Sequence, residues 1–435
     1  MLTLIANNDM NASLSQRLLA YSSAAFPALS ITVGKGYNYA AILILLFATV
    51  SLFLGRKTKE HYPPEVKWIA GTFVFYFISF AITVTLTGNQ LSDLDTPTRA
   101  LLVIPVFLSL LKYPPSLQML SIGFISGGYI AGLVGLYYQF NYPGYRAFDG
   151  ALGSWWTKGY MQIQTGGMIT TLGVSGLLLT GYYLLRKEWL LSSIALGSAL
   201  ISFYASILTG TRSGWLFIPI ALTYILFVNR KRLNQKAVLL IVIGFILLVT
   251  SALQSSRFLN RLSSAQHDVI QYFDGEDKYT PVGIRLDLWK SALFTVSESP
   301  IIGVGIEQRK EIRKTHGDLG LIDMKTSRET YHAHNQFLEN LSVYGILGLI
   351  ALLGIIFYPL YIFEHVRKKT ICVEHECLCQ IGSVSIIMMI GYCLSQAFLH
   401  HNSGSIYYLV FTSILLASVL GYSSNQVNSD KERQC

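Results

Sequence analysis

The most specific chemistry-bearing pattern in this sequence is His334-Asn335, followed after nine residues by Gly345-Ile346-Leu347-Gly348. An imidazole titrates near neutral pH, so a histidine held beside a hydroxyl can take its proton. Arg212 lies in the stretch TGTRSG (209–214) and Arg285 in GIRLDLW (283–289). A guanidinium presents a planar fork that grips phosphate oxygens in pairs, which a lysine cannot do. Ser213 is a candidate cap for the next helix, whose free amides and dipole would join Arg212 in holding an anion. On spacing alone, Arg285 reads as a solvated helix residue, and Arg257, Arg261, Arg309 and Arg313 are alternatives to it. Gly345 and Gly348 offer a small-residue face for close helix packing.

The elements that must position these groups are set by composition. Of 435 residues, 52% are hydrophobic and only 13% charged, against about 25% charged in an ordinary soluble domain. Mean hydropathy is +0.45. A span of the hydrocarbon core takes about twenty apolar residues. Candidate spans lie near 18–34, 38–55, 68–87, 99–112, 117–139, 160–184, 189–209, 213–229, 236–253, 340–363, 380–399 and 404–422. The expected fold is therefore an all-α membrane protein of about twelve helices. Its divisions are helices 1–9 (1–253), a large segment (254–339), helices 10–12 (340–422) and a polar, disordered tail (423–435).

The formal charge of +9 does not point to nucleic acid, because the basic residues cluster beside apolar runs. Those clusters are Arg56, Lys57 and Lys59; Arg186 and Lys187; Arg230, Lys231, Arg232 and Lys236; Arg367, Lys368 and Lys369; and Lys431 with Arg433. Threaded through the spans, all fall on one side, which the positive-inside rule makes the cytoplasm, with both termini there. The other side, the periplasm of an inner membrane, receives 88–98, 140–159, 210–213, 400–403 and the large segment. Within that segment, 283–297 is expected to be an amphipathic helix on the membrane surface, stopped at Ser299-Pro300 and followed by a Gly-rich turn. The start carries no cleavable signal pattern. The spans hold almost no ionisable groups, whereas a transporter or flippase would need polar groups at mid-membrane.

Rival clusters are weaker. Asp93-Leu-Asp95 could hold a divalent cation against pyrophosphate, although two carboxylates in a polar loop more simply make a solvated turn. His332, His334, His400 and His401 could make a zinc site if their loops meet. Cys372, Glu374, His375, Cys377 and Cys379 read as surface residues of a short cytoplasmic hairpin, Cys393 as a helix residue, and no disulfide framework is expected. Tyr138, Tyr142, Tyr145, Trp155, Trp156 and Tyr160 could stack on sugars or form an interfacial belt.

With motif and topology in place, the chain resembles the O-antigen ligase superfamily, which also holds O-antigen polymerases and protein O-oligosaccharyltransferases. The resemblance implies an inverting, metal-independent glycosyltransferase needing no cofactor. It would move O-antigen from undecaprenyl pyrophosphate to lipid A-core at the periplasmic face, completing lipopolysaccharide. It implies His334 as general base, Arg212 and Arg285 as the pyrophosphate clamp, and Asn335, Gly345 and Gly348 as motif support. A polymerase would share the histidine but use a lipid-linked glycan as acceptor. A protein O-oligosaccharyltransferase would usually continue into a soluble domain beyond the last helix.

Overall fold

Backbone amides in lipid have no water to bond, so each long apolar run folds as a helix that satisfies its own amides. The computed structural model describes residues 13–54, 62–232, 256–275, 277–330 and 332–429. Its helices are α1 (Leu14–Thr32), α2 (Gly36–Leu54), α3 (Pro64–Leu86), α4 (Asp95–Lys112), α5 (Leu117–Asn141), α6 (Gln162–Leu185), α7 (Trp189–Thr209), α8 (Arg212–Leu216) and α9 (Ile218–Asn229). There follow α10 (Ser256–Asp274), α11 (Pro281–Val296), α12 (Ile306–Asp318), α13 (Met324–Glu329), α14 (Gln336–Lys369), α15 (Val373–Ser395) and α16 (Asn402–Ser429). No strand occurs among the described residues.

Nine helices among the described residues are long and apolar enough to cross a membrane: α2, α3, the Leu91–Lys112 stretch containing α4, α5, α6, α7, α14, α15 and α16. The chain is thus an all-α, multi-pass membrane protein. At the place of the expected first span, α1 is a 19-residue helix of lower hydropathy. At the eighth stands a shorter apolar helix, Gly214–Asn229. The ninth expected span lies outside the described residues, as do Arg56, Lys57, Lys59, Lys236, Lys431, Arg433 and Cys435.

Small residues let these helices approach closely. A Cβ added at Gly123 would collide with the Ala24 carbonyl of α1, and one at Gly128 with Ser198 and Ser202 of α7, so α5 is wedged between the two. Most of α15 and α16 is buried, which puts the centre of the bundle there. Two sequence expectations fail in this region. α15 begins at Val373, a full two turns before the expected start. Cys372, His375, Cys377 and Cys379 are consequently buried rather than exposed in a hairpin, with His375 Nε2 donating to the Val419 carbonyl at 2.8 Å. The last helix also continues to Ser429, into the tail expected to be disordered.

The described residues from α10 up to α14 build a polar lobe. The expected surface helix, α11, instead buries Gly283, Asp287, Leu288, Ser291, Ala292 and Thr295, and packs on α14. Its small and polar inner face fits protein rather than lipid; the strongly amphipathic helix of the lobe is α10. Asp287 accepts from the Tyr272 hydroxyl at 2.7 Å and the Asp323 amide at 2.6 Å, tying α10 and α13 to α11.

The glycine motif works differently from the small-residue face expected of it. Gly345 has φ 64° and ψ −164°, breaking α14 at a conformation closed to side-chain-bearing residues. The broken turn is closed by the 300–305 loop: Ile346 and Leu347 amides donate to the Pro300 and Ile301 carbonyls at 2.9 and 3.2 Å, and the Gly305 amide to Val343 at 2.9 Å. The lobe is thereby stitched into the helix that follows His334. Gly348 packs beneath Tyr344 of its own helix.

Candidate functional site

His334 sits in the short turn that leads into α14, and its backbone is held at φ 48°, a left-handed conformation rare for a residue with a side chain. Such strain persists only where neighbours over-determine it. Here they do. The Ala333 amide donates to Glu339 Oε2 at 2.7 Å, while the Ala333 carbonyl accepts from Trp289 Nε1 of α11 at 3.0 Å. Asn335 is the N-cap of α14, its side-chain oxygen accepting from the Phe337 and Leu338 amides at 3.0 and 3.2 Å. The second residue of the motif is therefore a helix-starting residue.

The loops carrying the four histidines do meet. Ring centroids of His332 and His334 are 4.3 Å apart, of His332 and His401 5.5 Å, and of His332 and His400 6.2 Å. Gln336 joins the two segments: its Oε1 accepts from the Leu399 and His400 amides at 2.8 and 3.2 Å, and its Nε2 donates to Asn340 at 2.7 Å. Among the described residues, no three His, Cys, Asp or Glu side chains converge in a geometry that could hold a metal ion. Asp93 lies in a one-turn 3₁₀ helix and Asp95 opens α4.

Burial sets the protonation of this cluster. It pushes His332 down to about 3 and His401 down to about 4, each helped by the neighbouring imidazoles. His334 is lowered chiefly by burial; the hydrogen bond it makes to Gln396 Oε1 opposes the shift, the Arg285 charge adds to it and Glu339 opposes it. Arg285, an exposed residue of α11, is near enough for its charge to act on His334.

The other lobe arginines divide sharply. Arg309 is buried, donates to Ser291 at 3.0 Å and to Ser342 at 3.3 Å, and is lowered by burial to about 10, so it remains charged at neutral pH. Arg313 is buried and donates to the Ser327 carbonyl at 2.9 Å. Both pin the lobe together. The side chains of Arg257 and Arg261 lie outside the described residues.

Arg212 is the first residue of α8, after Thr211 at the N-cap; its side chain, like that of Ser213, lies outside the described residues. Ser213 is therefore within the first turn and not the cap. The backbone of this turn is well defined by its neighbours. Arg146 donates to the Thr209 and Gly210 carbonyls at 3.0 and 2.5 Å. A Cβ on Gly166 would strike Thr211, and one on Gly167 would meet Tyr392 and Phe398, so the turn stands one helix away from the end of α15. Of the aromatic loop, Tyr138, Phe148 and Tyr160 are buried fold residues, with Tyr160 donating to the Ile31 carbonyl at 2.7 Å, while Tyr145 and Trp155 are exposed.

Sequence reasoning missed Gln396, Gln336, Glu339 and Arg146. Glutamines and glutamates carry no spacing signature, and each of these meets its partner through the fold.

A strained, half-buried histidine thus stands beside the polar lobe of a multi-pass helical bundle. Residues 197–353 match the family model described as O-antigen ligase. The match contains Arg212, Arg285, His334, Asn335, Gly345 and Gly348, and ends before Gln396 and the second histidine pair. A Haemophilus influenzae protein described only as uncharacterized is 29% identical over 381 residues, covering 87% of this chain and 92% of that protein.

Proposed function

We propose that this protein is an inverting, metal-independent glycosyltransferase that ligates O-antigen from undecaprenyl pyrophosphate onto lipid A-core. The supporting observation is the constrained His334 turn with Arg285 on the adjoining helix. In the proposed reaction the acceptor hydroxyl attacks the anomeric carbon and the bond to the pyrophosphate oxygen breaks. The proton passes to His334, and undecaprenyl pyrophosphate leaves with its charge held by Arg212 and Arg285. The donor carries its own leaving group, so no nucleotide is required. A single displacement inverts the centre.

The lobe side faces the periplasm and both termini the cytoplasm in this reading. Its support is the sorting of charge: Arg186 lies near Glu374, Arg232 pairs with Glu376 at 2.6 Å and Arg367 with Glu364 at 2.7 Å, all at the bundle end opposite His334. A reporter fused after Gln266 should be active in the periplasm and one after Lys369 only in the cytoplasm; both on one side would overturn it.

The functional test is the lipopolysaccharide of a deletion strain. Loss of the ladder with long polymer retained on the lipid carrier supports a ligase. A single repeat left on core assigns a polymerase instead, and a normal ladder removes both. Purified transfer should survive EDTA; abolition, with Asp93 and Asp95 essential, would replace the arginine clamp by a metal.

A further inference from the structure

We infer that Gln396 is the positioning residue of His334, fixing the ring so that Nδ1 carries the proton and Nε2 is the atom that accepts one. The inference rests on the proposed role of His334 as base and adds the group that makes it one. Gln396 is the residue that ends α15; it is 5% exposed and its backbone is extended there, so its side chain turns away from the helix and toward the His334 turn. Its Oε1 is hydrogen-bonded to His334 Nδ1, and its Nε2 stands 3.4 Å from His401 Nε2.

A carbonyl oxygen only accepts, so the imidazole nitrogen bonded to it is the N–H, and the other nitrogen of a neutral ring has the free lone pair. The amide's other end only donates. His401 Nε2 is then an acceptor and its own proton lies on Nδ1. One buried amide thus orders two rings, and neither is left to exchange tautomers. The preceding turn agrees with this order: the His334 amide donates to His332 Nδ1 at 3.3 Å, which leaves that nitrogen unprotonated as well. Gln396 reaches across from a different helix, so it also anchors a turn whose own backbone conformation is unfavourable. The charged and titratable groups facing His334 are Arg285 from α11, Glu339 from α14, His332 from its own turn and His401 beyond Gln396.

The test compares Gln396→Glu, Gln396→Leu and His334→Ala in purified protein, scored for abundance, donor KM, kcat and the pH dependence of kcat, with lipid-linked polysaccharide and core acceptor as substrates. Gln396→Glu keeps an acceptor at Nδ1–H and adds negative charge, which favours the imidazolium. It should retain transfer on the alkaline plateau while its acid limb moves to higher pH, because the base must be neutral to act. Gln396→Leu keeps neither end. Its kcat should fall at least about tenfold, a part of the roughly 10²–10⁴ that a placed base supplies, with donor KM unchanged.

A purely structural glutamine would lower abundance in both variants and leave the pH limb in place. A reversed amide would make Gln396 the donor to His334, and Gln396→Glu would then lose transfer as fully as Gln396→Leu; either outcome overturns the inference. If both variants match wild type while His334→Ala is inactive, the positioning role fails and the base survives. If His334→Ala itself transfers normally, the base assignment fails first.

Discussion

The two ends of the bundle are polar in opposite ways. At one, Glu364 accepts from the Tyr224 hydroxyl at 2.5 Å, the Ser383 hydroxyl at 2.6 Å and the Arg367 guanidinium at 2.7 and 3.0 Å. Nearby, Asn229 and Gln380 exchange amide hydrogen bonds at 2.8 and 3.2 Å. Tyr224 and Ser383 tie α9 and α15 to α14, Asn229 and Gln380 tie α9 to α15, and Arg367, one turn further along the same helix, meets the carboxylate with a cation. At the other end stand four imidazoles, His334 on a strained backbone and burial pressing most of them toward neutrality. A satisfied carboxylate bonded to three helices' worth of partners holds a fold, whereas neutral imidazoles, one of them on an unfavourable backbone, contribute little to holding it. That difference, more than polarity itself, separates scaffold from candidate chemistry.

The comparison predicts opposite phenotypes at the two ends. Arg285→Ala and Arg212→Ala should each cut transfer by about 10²–10³ with normal membrane abundance, since groups that meet developing charge are worth that much. Lysine at either position should restore only part of it. Normal transfer from Arg285→Ala would return that residue to the solvated helix face. Glu364→Ala should do the reverse, removing hydrogen bonds to charge worth on the order of 2 kcal/mol each and lowering the melting temperature of the solubilised protein, while transfer per folded molecule stays near wild type. A variant stable as wild type but inactive would erase the contrast.

Gly345→Ala stands between the ends. An added Cβ would collide with the Ile301 backbone, and the conformation costs about 1–3 kcal/mol for a non-glycine residue. Reduced abundance together with reduced transfer is expected, because the helical stretch before the break, 336–344, is led by the His334 turn. Acid acts on the histidine end through stability. His332 and His401 are held near 3 and 4 in the fold but would titrate near 6.5 unfolded. The unfolded chain then binds more protons below about 6.5, so stability falls as pH drops from 6.5 toward 4. A melting temperature flat over that window in wild type, or unchanged in slope in His332→Ala, would count against the neutral cluster.

What was legible in the sequence divides along the same line. Spans are long and carry a simple apolar signal, so most fell where hydropathy put them. His334-Asn335 and the glycines are visible as a spacing, and the fold brings together the two histidine pairs that the sequence places on separate loops. The function of Gly345 was not legible, because a helix break closed by the 300–305 loop depends on contacts distant in sequence. α11 reads as a surface helix because its apolar residues are spread around it: Leu293 and Phe294 are exposed while Gly283, Asp287, Ser291 and Thr295 are buried beside Leu288 and Ala292, so no apolar stripe marks the side that packs on protein. The polar start of α15 misled in the other direction. Glu374, His375 and Glu376 suggested a loop, yet they begin the helix, where His375 is satisfied by a carbonyl of α16 and Glu376 by Arg232.

The measurement that bears most directly on the account is transfer by His334→Ala, made beside His332→Ala and His401→Ala, with membrane abundance and donor binding scored on the same preparations. The account predicts normal abundance and near-normal donor binding in all three, with transfer lost by about 10²–10⁴ in His334→Ala alone. Transfer above about a tenth of wild type in His334→Ala, or an equal loss in all three variants, would contradict it.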